Sequence, residues 1–186
     1  MAKLIYVSNV SLDGYIEDEH GSFDWTAPDD ELFAFITDLV RPVGTYLYGR
    51  RLYDTMAVWE TDPALAAQSG LTADFANVWR AASKVVYSTT LDAVSTAQTR
   101  LEHTFDPTSV RDMKASASGA LTVGGAQLAA HAFRAKLVDE CHLLVRPVLV
   151  GGGKPALPSG VRAGLELLDD RRVGMGVVYL RYRVPT

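Results

Sequence analysis

Leu121-Thr122-Val123-Gly124-Gly125-Ala126-Gln127-Leu128 is the stretch on which the fold turns. Its first half is an apolar run containing β-branched Thr122 and Val123, the composition of a buried strand. Two glycines end that run. A helical pattern follows, with Leu128, Ala132, Phe133 and Leu137 near one face. The unit therefore reads as strand, glycine pair, helix. Glycine has no Cβ, so the backbone can turn sharply and come close to a ligand. The start of the helix offers free N–H groups and a partial positive charge. Val123 to Leu128 thus form either a phosphate cradle or a tight turn with no ligand. A glycine pair is far less specific than a full dinucleotide fingerprint, so the surrounding chain must decide.

Working outward, the same junction recurs. Gly44 to Tyr48 reads as a strand, followed by Gly49-Arg50-Arg51 and a short helix through Leu52, Tyr53 and Met56. Arginine's fork suits phosphate oxygens, although an arginine pair at a helix start is also an ordinary solvated face. Lys84 to Tyr87 is a strand whose end, Ser88-Thr89-Thr90, offers hydroxyls to a ribose or phosphate, or simply closes a turn. Lys3 to Val10 is the first strand. It runs into Ser11-Leu12-Asp13-Gly14, a turn signal, and then a polar segment reaching Trp25 that reads as a lid, a surface excursion or a hairpin. Glu140 to Val150 is one long apolar strand. The Gly151-Gly152-Gly153-Lys154-Pro155 loop after it lacks the Walker spacing, so it is not read as an ATP site.

The remaining elements complete the pattern. Thr26 and Asp29 resemble a capping box around Pro28, before a helix carrying Leu32, Phe33, Phe35, Ile36, Leu39 and Val40. Thr61 to Gly70 reads as a polar connection, Leu71 to Ala82 as a helix, Ala97 to Glu102 as a weakly alternating strand, and Asp106-Pro107 as a helix start. Leu165 to Val173 and Val177 to Val184 flank Gly174-Met175-Gly176 as a closing antiparallel hairpin. Strands alternating with helices predict an α/β fold, and the hairpin makes the sheet mixed and not wholly parallel. In such a sheet ligands sit beyond the carboxyl ends of the strands. Ser11 to Gly14, Gly49 to Arg51, Ser88 to Thr90 and Gly124 to Leu128 all fall there, as does the glycine loop ending at Lys154.

Composition narrows the function classes. The 186 residues suffice for a single domain spanning residues 1–186, and the net charge of −4 argues against a non-specific nucleic-acid surface. Apolar runs are short and broken by charges, so no membrane span is expected. The opening Met1-Ala2-Lys3-Leu4-Ile5-Tyr6 lacks a small-residue cleavage site, which predicts no signal peptide and a cytoplasmic location. One cysteine, Cys141, excludes an internal disulfide and a cysteine-based zinc site, and no metal is expected.

Taken together, these segments resemble the dihydrofolate reductase-like superfamily. They are most similar to the reductase domain of the riboflavin-pathway bifunctional deaminase–reductase and its single-domain bacterial relatives. The residues carrying the resemblance are Val10 to Ile16, Asp24-Trp25, Tyr48 to Tyr53, Thr122 to Leu128 and Pro147 to Pro155. The resemblance implies a three-layer fold, with a mixed, mainly parallel sheet of roughly eight strands, flanking helices and a C-terminal antiparallel hairpin. It implies NADPH as cofactor. Gly49, Arg50 and Arg51 would meet the adenosine end and its 2′-phosphate, Ser88, Thr89 and Thr90 the adenine ribose, and Val123, Gly124, Gly125, Ala126, Gln127 and Leu128 the pyrophosphate turn.

On the substrate side, the resemblance places Ser11, Gly14 and Trp25 near a small-molecule substrate. Two carboxylates compete for the catalytic role. Asp13 lies in the Ser-Leu-Asp-Gly segment. Asp30 follows Trp25 by five residues, the spacing of the pterin-binding carboxylate in dihydrofolate reductases. Asp13 also reads as a turn aspartate, and Asp30 as one of three first-turn acids. Lys154, Arg146 and Arg162 are the cations available for a substrate phosphate. No deaminase domain is expected in these residues. The expected activity is NADPH-dependent reduction of a small heterocycle or ribosyl-pyrimidine, with a true dihydrofolate reductase or a non-catalytic nucleotide-binding module as alternatives. The strand from Glu140 and the closing hairpin suggest a homodimer.

Overall fold

Residues 1–185 are described by a computed structural model. The strands are β1 (Leu4–Ser11), β2 (Tyr15–Glu17), β3 (Val43–Gly49), β4 (Ser83–Tyr87), β5 (Thr99–Glu102), β6 (Ala120–Gly124), β7 (Glu140–Arg146), β8 (Lys154–Pro155), β9 (Glu166–Val173) and β10 (Val177–Arg183). The helices are α1 (Asp30–Val40), α2 (Arg50–Met56), α3 (Val58–Thr61), α4 (Pro63–Ala66), α5 (Gly70–Ala81), α6 (Pro107–Ser116) and α7 (Ala126–Arg134). Eight strands form one sheet in the order β5-β4-β3-β6-β1-β7-β10-β9, and β2 and β8 form a separate two-stranded ribbon. The first six strands of that order pair in parallel, while β10 runs antiparallel between β7 and β9. The mixed, mainly parallel sheet with its closing hairpin is the architecture the sequence predicts.

Alternation along the strands builds the three layers. Leu47 and Val85 join the core with Val110 of α6 and Leu128, Ala129 and Phe133 of α7. Their neighbours Tyr46, Tyr48 and Val86 face the other way, into a core with Phe75 and Trp79 of α5. Period two thus sends each strand's apolar residues to both faces, which is why these strands read as continuous hydrophobic runs. Further along, α1 lies over Leu144, Val177 and Tyr179 through Leu32. Among the described residues no helix is long and apolar enough to cross a membrane.

The order places β6 between β1 and β3. The chain leaves β3 toward β4 and β5, returns to β6, and then crosses β1 to β7. That reversal opens a crevice at the carboxyl edge, the position where open α/β sheets hold ligands. The starts of α2 and α7 meet there: a Cβ on Gly125 would lie 3.9 Å from the Gly49 nitrogen.

Several boundaries differ from expectation. β7 stops at Arg146, not Val150, because Pro147 lacks an N–H for the ladder. Asp29, not Thr26, caps α1, accepting from the Leu32 amide at 2.9 Å. Pro28 explains the shift: it holds Ala27 extended (ψ 125°), so the helix cannot begin before it. Thr26 instead ends a short 3-10 turn over Asp24–Thr26. The single turn α3 ends at Thr61, the connection after it contains the single turn α4, and Leu137 lies just past α7, still buried.

Candidate active site

A cleft of about 880 Å³ occupies the carboxyl edge, within the size range of small-molecule sites. The β3–α2 junction contributes Gly49, Arg50, Arg51 and Leu52, and the end of β4 contributes Tyr87, Ser88, Thr89 and Thr90. The β6–α7 junction contributes Gly125, Gln127 and Leu128, and the two-stranded ribbon contributes Glu17 and Lys154. Three distant segments expected to share one ligand thus line one space.

The junction from β6 to α7 is built for an unobstructed backbone. Gly125 sits at φ +89°, a conformation that any other residue adopts only under strain, and as the N-cap it supplies no side chain to the amides of α7. The first amides of α7 therefore have no capping side chain, and Gly125, Gln127 and Leu128 line the cleft. Gly124 has a different task. A Cβ there would collide with the Leu52 side chain, so its absence lets α2 pack against β6. Val123 is buried in the core, and neither Val123, Gly124 nor Ala126 lines the cleft.

Across the crevice, Arg50 donates from Nη1 to Thr90 Oγ1 at 2.7 Å, and its Nε lies 3.6 Å from Asp54. This ties the guanidinium to the hydroxyl-bearing strand end. Ser88 accepts the amides of Thr90 and Leu91 (3.2 and 3.0 Å), so its hydroxyl closes the turn that presents Thr89 and Thr90. Arg51 is largely exposed, with Nη1 3.6 Å from Glu17 Oε1, and Lys154 donates to the same oxygen at 2.8 Å.

One wall was not foreseen. Phe105 lies between Tyr87 and His131, with ring centroids 5.5 and 5.9 Å apart, and all three line the cleft. His103 Nδ1 lies 2.9 Å from the Ser88 carbonyl oxygen. Burial pushes the Tyr87 hydroxyl up to about 12, so it stays protonated. His103 and Phe105 follow β5, and the strand-end rule that selected the other segments applies to them equally. The weak alternation of β5 hid them.

The expected substrate-side residues lie elsewhere. Ser11 is buried and its hydroxyl accepts the Tyr15 amide at 2.9 Å. Gly14 donates to the Ser11 carbonyl at 2.9 Å, with φ +96°. Asp13 reaches across to accept the Gly151 amide at 2.8 Å and the Val150 amide at 3.2 Å. The Ser11 hydroxyl and then these amides hold its carboxyl below the usual range. It is an anchor for the glycine loop. Trp25 belongs to the 3-10 turn, and its carbonyl, with that of Ala27, accepts from the buried Arg146 guanidinium at 3.2 and 2.8 Å. Asp30 is exposed in the first turn of α1. Neither Asp13 nor Asp30 lines the cleft. Of the three cations considered for a phosphate, Lys154 alone lines the cleft: Arg146 is buried outside it, with Nε and Nη2 on these carbonyls and Nη1 without a partner among the described residues, and Arg162 lies in a separate depression beside Val138 and Val184, at the sheet's other end.

This topology and its rim cleft define a dihydrofolate reductase-like fold. The chain belongs to the RibD C-terminal domain family, which matches residues 2–179. It is 27% identical over 180 residues to an uncharacterized Bacillus subtilis protein, YyaP, covering 93% of this chain and 90% of that protein. Its fold is similar to a putative riboflavin biosynthesis protein from Shewanella, with a TM-score of 0.76 and 21% identity over the whole of both chains. It also resembles the Thermotoga maritima diaminohydroxyphosphoribosylaminopyrimidine deaminase/5-amino-6-(5-phosphoribosylamino)uracil reductase (TM-score 0.65, 13% identity), covering 99% of this chain and 57% of that one. A pyrimidine reductase-like protein from Corynebacterium diphtheriae gives a TM-score of 0.67 at 11% identity, covering 100% of this chain and 92% of that one.

Proposed function

We propose that this protein is an NADPH-dependent reductase of the riboflavin-biosynthesis type, acting on a small heterocyclic or ribosyl-pyrimidine substrate. The observation carrying the reading is the meeting of two helix starts, each beginning on a glycine, across the crevice beside β6. Family membership supports the reductase class.

The residues fit a phosphorylated dinucleotide. Gly125 leaves the first amides of α7 open to a pyrophosphate, and Arg50 and Arg51 supply the forked cations that distinguish a 2′-phosphate from a hydroxyl. Tyr87, Phe105 and His131 offer flat faces to a base. When bound, the nicotinamide supplies the hydride. The chain's own contribution is orientation: Thr90 holds the Arg50 guanidinium, and Asp13 pins the glycine loop that carries Lys154 to the rim. Asp13 and Asp30 lie outside the cleft, so neither is the proton donor, and an acid of the cleft itself or water supplies the proton. The exposed Asp30 does not supply the buried carboxylate that a pterin would need.

The reading also includes a homodimer. On β7 and β10 the residues facing α1 are buried, whereas Val145, Val178 and Leu180 on the opposite face are partly exposed, with Leu167 of β9 beside them. A second copy is the occupant proposed for this apolar face. Sedimentation at micromolar concentration should show a dimer that Val178→Lys converts to a monomer; a wild-type monomer contradicts it.

The activity test is NADPH consumption in the presence of 5-amino-6-(5-phosphoribosylamino)uracil, the substrate named for the Thermotoga protein. Stoichiometric consumption is expected. A folded protein that binds NADPH but oxidises it with no pyrimidine of this type is a binding module, not this reductase.

A further inference from the structure

The cations of the cleft are not free. Arg50 is near Asp54, and Arg51 and Lys154 share a single carboxylate, Glu17. Glu17 comes from neither helix junction. It sits on β2, opposite Lys154 in the ribbon register, and reaches across to Arg51 at the start of α2. The ribbon is closely built: a Cβ on Gly153 would overlap the Glu17 carbonyl oxygen. Its other end is anchored, since the Ala156 amide donates to the Gly14 carbonyl at 2.9 Å and Asp13 holds Gly151. The ribbon is therefore a strap fixed at the Gly14 end, and Glu17 latches it to the far wall of the cleft.

Resting on the dinucleotide reading above, we infer that Glu17 is an internal competitor for the phosphates of the ligand. Its carboxylate holds Arg51 and Lys154 in the free protein, and an arriving phosphate takes over these cations and releases the strap from α2. The chemistry is an exchange of one oxyanion for another on the same donors, with no covalent step. Glu17 weakens binding in two ways. It occupies the cations, and it places a negative charge at the wall that polyanions must approach. Both effects fade with added salt. NADPH, carrying an additional phosphate, gains more from relief than NADH does.

The test compares dissociation constants of NADPH and NADH for the wild type and Glu17→Gln, at low and high salt, alongside amide exchange of the strap. Glu17→Gln is expected to bind NADPH about twofold to fivefold more tightly at low salt, the range for partly exposed charge pairs. The gain should shrink at high salt. In the unliganded variant the amides of residues 15–18 should exchange faster than in the wild type, while those of α7 do not change. Glu17→Ala carries the same expectations if the glutamine variant does not fold. Binding by the wild type with no gain in either variant overturns the inference alone. No binding of NADPH to wild type or variants removes the dinucleotide reading and this inference with it.

Discussion

Four helices of this protein begin on a side chain that accepts their first amides: Asp29 for α1, Asp62 for α4, Ser69 for α5 and Asp106 for α6. The two that open onto the crevice, α2 and α7, begin on Gly49 and Gly125 and have no such acceptor. A capping side chain contributes about 1 kcal/mol to a helix. The rim forgoes that stabilisation where an external acceptor can take its place. Apart from the single turn α3, which starts on Ala57, the helices away from the crevice cap themselves, while the two at the topological switch have no side-chain acceptor for their first amides.

The largest way to break this contrast is at Gly125. Gly125→Val puts a β-branched residue at φ +89° and a side chain beside Gly49. It should destabilise the protein by roughly 1–3 kcal/mol and weaken dinucleotide binding by more than tenfold; a folded variant with unchanged affinity moves the pyrophosphate elsewhere. Next are the arginines. Arg50→Ala and Arg51→Ala should each weaken NADPH by about tenfold, equivalent to about 1.4 kcal/mol, and NADH much less. Equal losses for the two would refute a 2′-phosphate contact.

A capped helix should respond the opposite way. Asp106→Ala frees the Thr108 and Ser109 amides, bound at 3.0 and 3.1 Å, and should lower stability by about 1 kcal/mol while leaving NADPH affinity intact. Thermal denaturation and titration of one preparation measure both. The smallest effect concerns Asp13. Its folded-state carboxyl titrates below the ordinary 3.8, so its contribution is present above that pH and is lost as the pH falls through the folded value. Asp13→Asn should flatten the acid end of the stability curve below about 3.8. An acid limb identical to that of the wild type would show that the Gly151 contact carries no linkage.

Much of the fold was legible because apolar runs, caps and glycine junctions are local signals. Gly49 and Gly125 stand out by position, since a strand end followed by a helix start has one place in an α/β sheet, and both line the cleft. What local signals missed depended on partners far along the chain. Asp13 has the appearance of a turn aspartate or a catalytic acid until Val150 and Gly151 are seen to donate to it. Arg146 resembles a phosphate ligand until the Trp25 and Ala27 carbonyls claim it. Asp30 satisfied a spacing rule, yet that spacing leaves it exposed in a helical first turn. Phe105 and His131 sit on different elements, and nothing in a sequence of separate aromatics shows that their rings lie 5.9 Å apart.

The most direct test of the uncapped rim is a titration of the purified protein with NADPH and, separately, with NADH, followed by tryptophan fluorescence. Micromolar binding of NADPH with much weaker binding of NADH is expected. Binding of neither would contradict it, and the glycine starts of α2 and α7 would then be structural turns with no ligand to complete them.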